Sequence, residues 1–273
     1  MTCVAGVVET QNPPCQQFGM RRNRCDTDYV FWTLYPRDVV QVAGPDAATF
    51  LHSQLSQDTR PLAVGDSAWS FLLQPTGKIE VLLRVWRSGD DSFVLDTDAG
   101  YGSTMVARLN RFKIRVKAEV AELPWSCIAV RGDGASTVEG LDSWGGGRDL
   151  IAAASSGPAA AEPGTADDLL AARIDAGWPA MGSEIVPGET IPGETGVVDF
   201  AVNFKKGCYP GQELVERMDS RGAAPPKLLQ RVSVAAGTGV GDAYMVDGAS
   251  VGVVTSVYGT VALAMVKRSA VVH

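Results

Sequence analysis

Short apolar runs of strand length alternate with stretches of helical spacing in the first half of the chain, and this order restricts the possible folds more than any other feature. Apolar positions recur every three or four residues over 47–55 and again over 102–112. Between them, apolar runs at 67–73 and 79–86 are joined by a turn that contains proline and glycine, which favours an antiparallel hairpin. This alternation predicts an α+β fold.

The second half repeats part of this order and then changes. An apolar run starts at Cys127, glycine-rich and small-residue tracts follow, and Thr165 stands in the N-cap position before helical spacing over 166–176. After Gly222, glycine-punctuated apolar runs predict a small C-terminal β-barrel. We therefore divide the chain into an N-terminal arm (1–36), a first α+β subdomain (37–122), a second α+β subdomain (123–222) and the barrel (223–273).

Length, composition and charge narrow the class of protein. A chain of 273 residues, of which 45% are hydrophobic, is long and apolar enough to bury a core. The formal net charge of −7 argues against broad nucleic-acid binding, which depends on many lysine and arginine contacts with phosphates. No run reaches the roughly 18 apolar residues of a membrane helix, and the first nine residues lack signal-peptide features. The sequence predicts a monomeric, cytoplasmic protein without membrane contact.

Cysteine and histidine usage argues against a disulfide framework and against a metal centre. The five cysteines form no C-x-x-C pair, and their odd number favours reduced thiols. With two histidines in the chain, we expect no protein-built metal site. His52 precedes Ser53, but adjacent residues on a helix point about 100° apart, so these two cannot form a nucleophile–base pair. We interpret His52 as a structural or cavity-lining residue.

The segment Lys206-Gly207-Cys208-Tyr209-Pro210-Gly211-Gln212-Glu213 concentrates several uncommon features. Pro210 suits the first turn of a helix, so a helix should begin near Gly211 with Cys208 just before its N-terminus. The positive end of that helix, together with the adjacent Lys205 and Lys206, would favour the thiolate form of the cysteine. We hypothesise that Cys208 is an activated or redox-sensitive thiol.

Other residues of this segment have simpler expected roles. Gly207 and Gly211 would allow a ligand or a second backbone to approach closely. Glu213 and Arg217 are four residues apart on the predicted helix and can pair. A competing interpretation is that Cys208 is a small buried residue and that the glycines only shape a turn. Spacing alone leaves both interpretations open.

The sequence KGCYPGQELVER, from Lys206 to Arg217, resembles the signature of the YgfZ/GcvT-like folate-binding family, whose relatives include the glycine-cleavage T-protein. Weaker similarity at 42–51, 173–177 and 262–268 extends the resemblance over residues 38–268. It implies a GcvT-like fold of ferredoxin-like strand-and-helix units, with a folate-binding first subdomain and a small C-terminal β-barrel. It also implies a reactive Cys208, with Arg217 and Glu213 shaping its site. The remaining motif residues are Lys206, Gly207, Tyr209, Gly211 and Gln212.

The resemblance further implies a cofactor, tetrahydrofolate or a one-carbon derivative, and residues that would bind it. Glu194 is similar in position to the pterin-contacting glutamate of T-proteins, and a carboxylate can accept two hydrogen bonds from a pterin edge. Glu189, in a near-duplicate Pro-Gly-Glu-Thr, is its rival, and either residue could be a solvated loop acid. Lys78 and Arg84 could attract the folate's glutamate tail, although solvated positions on a hairpin are the other account.

The chain departs from T-proteins where they carry Gly-Gly-x-x-Asp-Asp. The corresponding residues end in Glu80 and Val81, and the valine removes a possible acid–base group. We therefore expect a folate-binding accessory protein that supports iron–sulfur cluster assembly or repair in client enzymes through Cys208. The resemblance implies that these transient partners include tRNA-modifying enzymes and that oxidative stress increases the need. The alternatives are a tetrahydrofolate-dependent aminomethyltransferase or demethylase, and a folate-binding module without thiol chemistry.

Overall fold

A computed structural model of the protein describes residues 29–154, 156–220 and 225–270, with the side chains of 218–220 left undescribed. The three N-terminal cysteines and residues 1–28 of the predicted arm lie outside this range. The strands are β1 (Phe31–Tyr35), β2 (Arg37–Ala43), β3 (Ser67–Leu73), β4 (Ile79–Gly89), β5 (Ser92–Asp98), β6 (Glu119–Leu123), β7 (Ser126–Arg131), β8 (Leu141–Asp142), β9 (Arg148–Ala152), β10 (Glu162–Pro163), β11 (Lys227–Ser233), β12 (Ala243–Val246), β13 (Ala249–Tyr258) and β14 (Val261–Lys267). The helices are α1 (Ala47–Gln54), α2 (Gly102–Phe112), α3 (Ala166–Asp175), α4 (Val198–Ala201) and α5 (Gln212–Ser220).

The first unit is a five-stranded antiparallel sheet in the order β3-β4-β5-β2-β6, with α1 and α2 packed against it. Its core joins fully buried residues of the sheet, such as Val40 and Leu83, to Leu51 of α1 and Leu109 of α2. The predicted hairpin and both predicted helices are confirmed within three residues, because each carries its own local apolar period.

The second unit is a five-stranded sheet in the order β10-β1-β7-β9-β8. Its second strand, β1, corrects the predicted boundary of the N-terminal arm at residue 36. Phe31–Tyr35 pair with the whole of Arg131–Cys127 in antiparallel register and therefore belong to this unit. Alternate side chains of β1 are buried, as in a half-buried strand. The helix of this unit, α3, begins with the predicted Thr165 cap, which forms a reciprocal capping box with Asp168.

The C-terminal unit is a four-stranded antiparallel sheet in the order β11-β14-β13-β12. It provides the predicted C-terminal β-structure as a sheet in which β11 and β12 are the edges. A buried polar cluster connects it to the second unit. Arg173 of α3 donates to Glu184 Oε2 at 2.8 Å and to Ser256 Oγ of β13 at 2.5 Å, and the Ser256 hydroxyl donates to Glu184 Oε1 at 2.6 Å.

A buried ionic network joins the first two sheets. In the first sheet, Arg37 pairs with Asp96 at 2.6 Å, and Arg84 pairs with the same carboxylate at 3.0 Å. Arg84 then crosses to Asp149 in the second sheet at 3.0 Å, and Asp149 pairs with Arg131 at 2.9 Å. All five side chains are at most 2% exposed. Opposite charges therefore alternate through the interface, as burial of ions requires.

The arginines of this network also support two tryptophan rings. The Arg84 guanidinium carbon lies 5.2 Å from the ring centroid of Trp69, and that of Arg37 lies 5.6 Å from the same centroid. Arg131 lies 3.8 Å from the ring centroid of Trp144. These are cation–π distances, so the network fixes aromatic residues as well as the two sheets.

The motif predicted to carry the reactive thiol is attached to the first unit by two glycines. Gly211 and Gly77 both have φ in the left-handed region, +83° and +84°. A Cβ on Gly211 would lie 2.4 Å from the Gln74 carbonyl oxygen and 3.0 Å from Gly77 Cα. The close approach expected at Gly211 is therefore that of a second backbone, the β3–β4 turn.

We predict that Asp149→Ala lowers the free energy of unfolding by about 3–5 kcal/mol, because Arg84 and Arg131 would keep their buried charges without this partner. Urea denaturation checks this, with Asp175→Ala as the matched control. Asp175 pairs with Arg231 on the surface at 2.9 Å, so its loss should cost less than about 1 kcal/mol. Similar losses in the two variants would contradict the structural role of the network.

The same network predicts a loss of stability in acid. Burial alone would raise the pKa of Asp149, but Arg131 and Arg84, with the Ser143 hydroxyl, hold it below its ordinary value. A lowered carboxyl pKa stabilises the folded state above the ordinary pKa, and this contribution is lost as the pH falls through the folded-state pKa. Unfolding free energy measured from neutral pH into acid should therefore decrease less steeply for Asp149→Asn than for the native chain. Parallel curves would count against Asp149 as a source of acid lability.

We also predict that Gly211→Ala destabilises the protein by about 1–3 kcal/mol, because the added Cβ meets both an unfavourable φ and a carbonyl oxygen. Gly207→Ala is the matched control, since its Cβ would have no close neighbour nearer than 4.0 Å. Thermal and urea unfolding of both variants measure the difference. An equal effect at the two positions would show that the contact with the β3–β4 turn does not hold the motif.

Candidate functional site

Cys208 is exposed and Cys127 is buried, so of the two described cysteines only the thiol of Cys208 is accessible to a reactant in solution. Cys208 lies just before the Pro210–Gly211 turn, and α5 begins four residues later at Gln212. Cys127 is 1% exposed in β7, where burial, together with nearby Asp149, raises the pKa of its thiol well above the ordinary value. The interpretation of Cys208 as a buried packing residue is therefore not supported.

Lys206 attaches the motif to the end of α1. Its ammonium donates to the carbonyl oxygens of His52 at 2.5 Å, of Leu55, and of Gln57 at 3.2 Å. These carbonyls lie in the last turn of α1 and just after it, and a helix C-terminus is favourable for cations. Burial lowers the pKa of Lys206 to about 8, and the charge of Asp58 opposes this shift. The expected free cation beside the thiol is thus engaged in the fold, and the exposed Lys205 is the remaining one.

Tyr209 and Gln212 fix the backbone on the other side of Cys208. Tyr209 is 9% exposed within the central hydrophobic cluster, and burial raises the pKa of its hydroxyl to about 12. Its backbone N–H donates to Gln212 Oε1 at 2.9 Å, so the first residue of α5 closes the turn. The exposed cysteine is consequently held between two anchored neighbours.

Glu213 and Arg217 are both exposed on α5. No ion pair joins them in the part of α5 whose side chains are described, so the expected pairing is not observed. Two long solvated side chains gain little from pairing, which is the physical reason. Their role in shaping the thiol site stays a prediction.

An aromatic cavity of about 460 Å³ lies beside α4. Its walls include Trp69, Trp144, Trp178 and Phe200. Trp69 and Trp178 are in contact, with ring centroids 4.7 Å apart, and Phe200 meets Trp178 edge-on at 6.2 Å. The three tryptophans are buried, whereas Phe200 is 61% exposed at the rim. The volume and aromatic walls match those of small-molecule sites.

Sequence analysis missed this cavity because its four aromatic residues come from distant parts of the chain. A signal was present: Trp144 precedes three glycines and Trp178 stands between glycine and proline. Glycine and proline interrupt regular elements, so a large ring beside them lies in a loop, where binding sites are common.

The two candidate glutamates have different environments. Glu194 is 6% exposed and ends a short 3₁₀ turn, Pro192–Glu194, where its Oε2 accepts the Ile191 N–H at 3.3 Å. Gly196 and Val197, just beyond this turn, line the aromatic cavity. Glu189 is exposed. A solvated loop acid describes Glu189 but not Glu194.

The two basic candidates on the hairpin, Lys78 and Arg84, also differ in exposure. Lys78 is exposed in the β3–β4 turn, as expected. Arg84 is fully buried between Asp96 and Asp149, so it is neither a solvated hairpin residue nor free to meet a ligand's tail. The strand pattern did not show that the face carrying Arg84 is covered by the second sheet.

The carboxylate that replaces the T-protein aspartate doublet is already paired. Glu80 Oε2 lies 3.1 Å from Arg108 Nε, and Arg108 also donates to the Leu73 carbonyl at 2.9 Å. Val81, the second position, is fully buried. Acid–base chemistry at this place would have to break an ion pair.

His52 lies beside the motif. Its Nε2 is 4.0 Å from the point where a Cβ on Gly207 would be. Its Nδ1 lies 3.1 Å from Asp58 Oδ1, within ion-pair distance but without the alignment of a regular hydrogen bond. Burial, followed by the charges of Lys206 and Arg60, lowers the pKa of His52. The imidazole is therefore neutral at physiological pH.

The described residues provide neither a clustered set of metal ligands nor a membrane-spanning helix. Residues 29–154, 156–220 and 225–270 contain no group of three or more His, Cys, Asp or Glu side chains placed to hold a metal ion. Over the same ranges, none of the helices has the length and apolar character to cross a membrane.

Comparison with known proteins gives relatives at low identity, and no family model matches. The chain is 28% identical over 244 residues to the mitochondrial iron–sulfur cluster assembly factor IBA57 of Mus musculus, covering 74% of the chain and 66% of that protein. It is 26% identical over 239 residues to the IBA57 homologue of Phaeosphaeria nodorum and 24% identical over 231 residues to that of Neurospora crassa. These matches cover 76% and 72% of the chain but only 56% and 52% of the fungal proteins, so the chain spans about half their length.

These relatives contradict the expected cytoplasmic location, because the mouse and fungal proteins are named as mitochondrial. The expectation rested on the lack of a secretory signal peptide and of a membrane helix, and neither property distinguishes the cytoplasm from the interior of an organelle.

Among solved structures, the chain superimposes on the glycine cleavage system aminomethyltransferase T of Bartonella henselae with a TM-score of 0.71 and 21% identity. The match covers 88% of this chain and 79% of that one, which establishes the fold. The predicted GcvT-like α+β architecture is therefore confirmed. The relatives and the fold agree with the motif: the chain is similar in sequence to iron–sulfur cluster assembly factors and shares the fold of the glycine cleavage aminomethyltransferase T.

Proposed function

We propose that this protein binds a tetrahydrofolate and supports the assembly or repair of iron–sulfur clusters in client enzymes, tRNA-modifying enzymes among them, through Cys208. The observation that carries the proposal is an exposed cysteine held between the anchored side chains of Lys206 and Tyr209. The similarity to IBA57 assembly factors supports the cluster part. The aromatic cavity supports the folate part.

The thiol is suited to transient contact rather than to storage of a cluster. Clusters are commonly held by four cysteine ligands, and Cys208 is the one exposed cysteine among the described residues. A client or a carrier protein would therefore supply the other ligands. Cys208 is exposed and its neighbours are fixed, so the sulfur already has a defined position before a partner binds. Binding therefore does not have to order a flexible loop, which would cost free energy.

The residues present fit a folate. A pterin is flat and apolar on its faces and polar at its edge, which matches the aromatic walls formed by Trp69, Trp178 and Phe200 and a nearby buried carboxylate, Glu194. Lys78 is exposed and is retained as a candidate for the glutamate tail. When bound, the folate supplies one-carbon chemistry, and these side chains bind and orient it.

Aminomethyl transfer is the weaker candidate. The T-protein aspartate doublet is replaced by Glu80, which Arg108 neutralises, and by the buried Val81. A general acid or base at that place must exchange a proton with substrate, and neither residue is free to do so.

Calorimetric titration with tetrahydrofolate tests the cofactor. We expect the native chain to bind, and Glu194→Gln and Phe200→Ala each to weaken binding about tenfold, through a lost charged hydrogen bond and a lost stacking surface. Glu189→Gln is the matched control, because it removes an exposed carboxylate from the near-duplicate loop and should bind normally. No heat with the native chain would eliminate folate. Equal effects of the two glutamate variants would eliminate Glu194 as the ligand.

Complementation in cells that lack the protein tests the thiol. Cys208→Ser should abolish most of the activity of iron–sulfur client enzymes and lower tRNA thiolation under oxidative stress, because a hydroxyl has little of the nucleophilicity and metal affinity of a thiolate. Cys127→Ala, which removes a buried thiol, should complement fully if it is present at the native level. Full complementation by Cys208→Ser would contradict the thiol role and favour the alternative, a folate-binding module without thiol chemistry.

A further inference from the structure

The end of α1 brings a histidine from early in the chain to Gly207, the residue before the motif cysteine. The carbonyl oxygens of His52, Leu55 and Gln57 hold the Lys206 ammonium and so fix the start of the motif beside the end of α1. His52 Nε2 lies 4.0 Å from the point where a Cβ on Gly207 would be. Residue 207 has no side chain, so it places no bulk between the imidazole and the next residue, Cys208.

The second imidazole nitrogen has an anionic neighbour. His52 Nδ1 lies 3.1 Å from Asp58 Oδ1. Asp58 is itself held by Arg60, whose backbone N–H and guanidinium donate to its two carboxylate oxygens at 2.8–3.1 Å. These hydrogen bonds lower the pKa of Asp58, so the carboxylate is charged. A carboxylate beside Nδ1 favours the tautomer with the proton on Nδ1 and the lone pair on Nε2, which is the nitrogen that faces the motif.

The charged groups that face His52 come from two elements. Asp58 and Arg60 belong to the linker after α1, and Lys206 belongs to the motif. The two cations and burial lower the pKa of His52, while Asp58 opposes them. The imidazole is therefore unprotonated at neutral pH and can accept a proton at Nε2. Once it is protonated, the charge of Asp58 stabilises the imidazolium.

We propose that His52 is the general base for Cys208 and accepts the thiol proton at Nε2 when the sulfur reacts. This inference rests on the proposed thiol function and adds a residue to it. The S–H bond breaks, its electron pair stays on sulfur, and the proton moves to Nε2, giving a thiolate and an imidazolium paired with Asp58. With iodoacetamide as the probe, a C–S bond forms, iodide leaves, and the imidazolium returns its proton to water.

Alkylation kinetics test this proposal in a chain with Cys3, Cys15 and Cys25 changed to serine. Cys127 remains but is buried, so the native-state reaction reports Cys208. At about pH 7, His52→Gln should react with iodoacetamide about tenfold more slowly than the parent. At about pH 10 the two rates should converge, because the thiol then ionises without an acceptor. Ser53→Ala, at the exposed neighbouring position, is the matched control and should react at the parental rate.

A second variant separates proton transfer from packing. His52→Ala should also be slow at about pH 7, and added imidazole should restore its rate while leaving the parent unchanged. Equal rates of His52→Gln and the parent at neutral pH would overturn the proposal. So would a slowing of the same factor at both pH values, or a failure of imidazole to restore His52→Ala, since each indicates a structural role.

These outcomes are separate from those of the proposed function. If Cys208→Ser fails to complement in cells while His52→Gln alkylates normally, the thiol function stands and the histidine assignment falls. If Cys208→Ser complements fully, the thiol function falls whatever the alkylation rates are.

Discussion

The alternating charges of Arg37, Asp96, Arg84, Asp149 and Arg131 are the interaction on which the arrangement of the first two units depends. Each ion has a partner of opposite sign, and the Arg84–Asp149 pair is the step that crosses from one sheet to the other. Buried ions are costly unless geometry is favourable, so such a network specifies one relative placement of the sheets more than it adds stability. Because its arginines also lie at cation–π distance from Trp69 and Trp144, the same placement sets two walls of the aromatic cavity.

The sequence predicted the parts of the fold that depend on local pattern. Helices α1 and α2, the β3–β4 hairpin and the Thr165 cap each have a periodic or capping signal within a dozen residues, and all were found. The assignment of Phe31–Tyr35 to an arm was wrong because this strand pairs with β7, a partner far along the chain that no local signal reveals. Arg84 was misjudged for a related reason, since burial of its face depends on the second sheet.

The site shows the same division. The motif indicated the exposed cysteine and the start of α5, since both follow from its proline and glycine. It did not indicate that Lys206 turns away into the end of α1, or that His52 is adjacent. Helix geometry excludes a Ser53–His52 pair, and the neighbour of the imidazole in the motif is Gly207. Tertiary contact, rather than spacing, made this juxtaposition.

Because Gly211 contacts the β3–β4 turn, the position of the motif depends on the length of that turn. A Cβ on Gly211 would meet the Gln74 carbonyl oxygen, and a Cβ on Gly77 would meet the Leu214 side chain at 2.4 Å, so the turn and the start of α5 are packed too closely to absorb a displacement. One residue inserted between Gln74 and Gly77 would move the backbone on which Gly211 rests, and with it the sulfur of Cys208. Sequence change should therefore preserve the length of this turn even where its residues change, and grafting the motif onto another hairpin would require both glycines together.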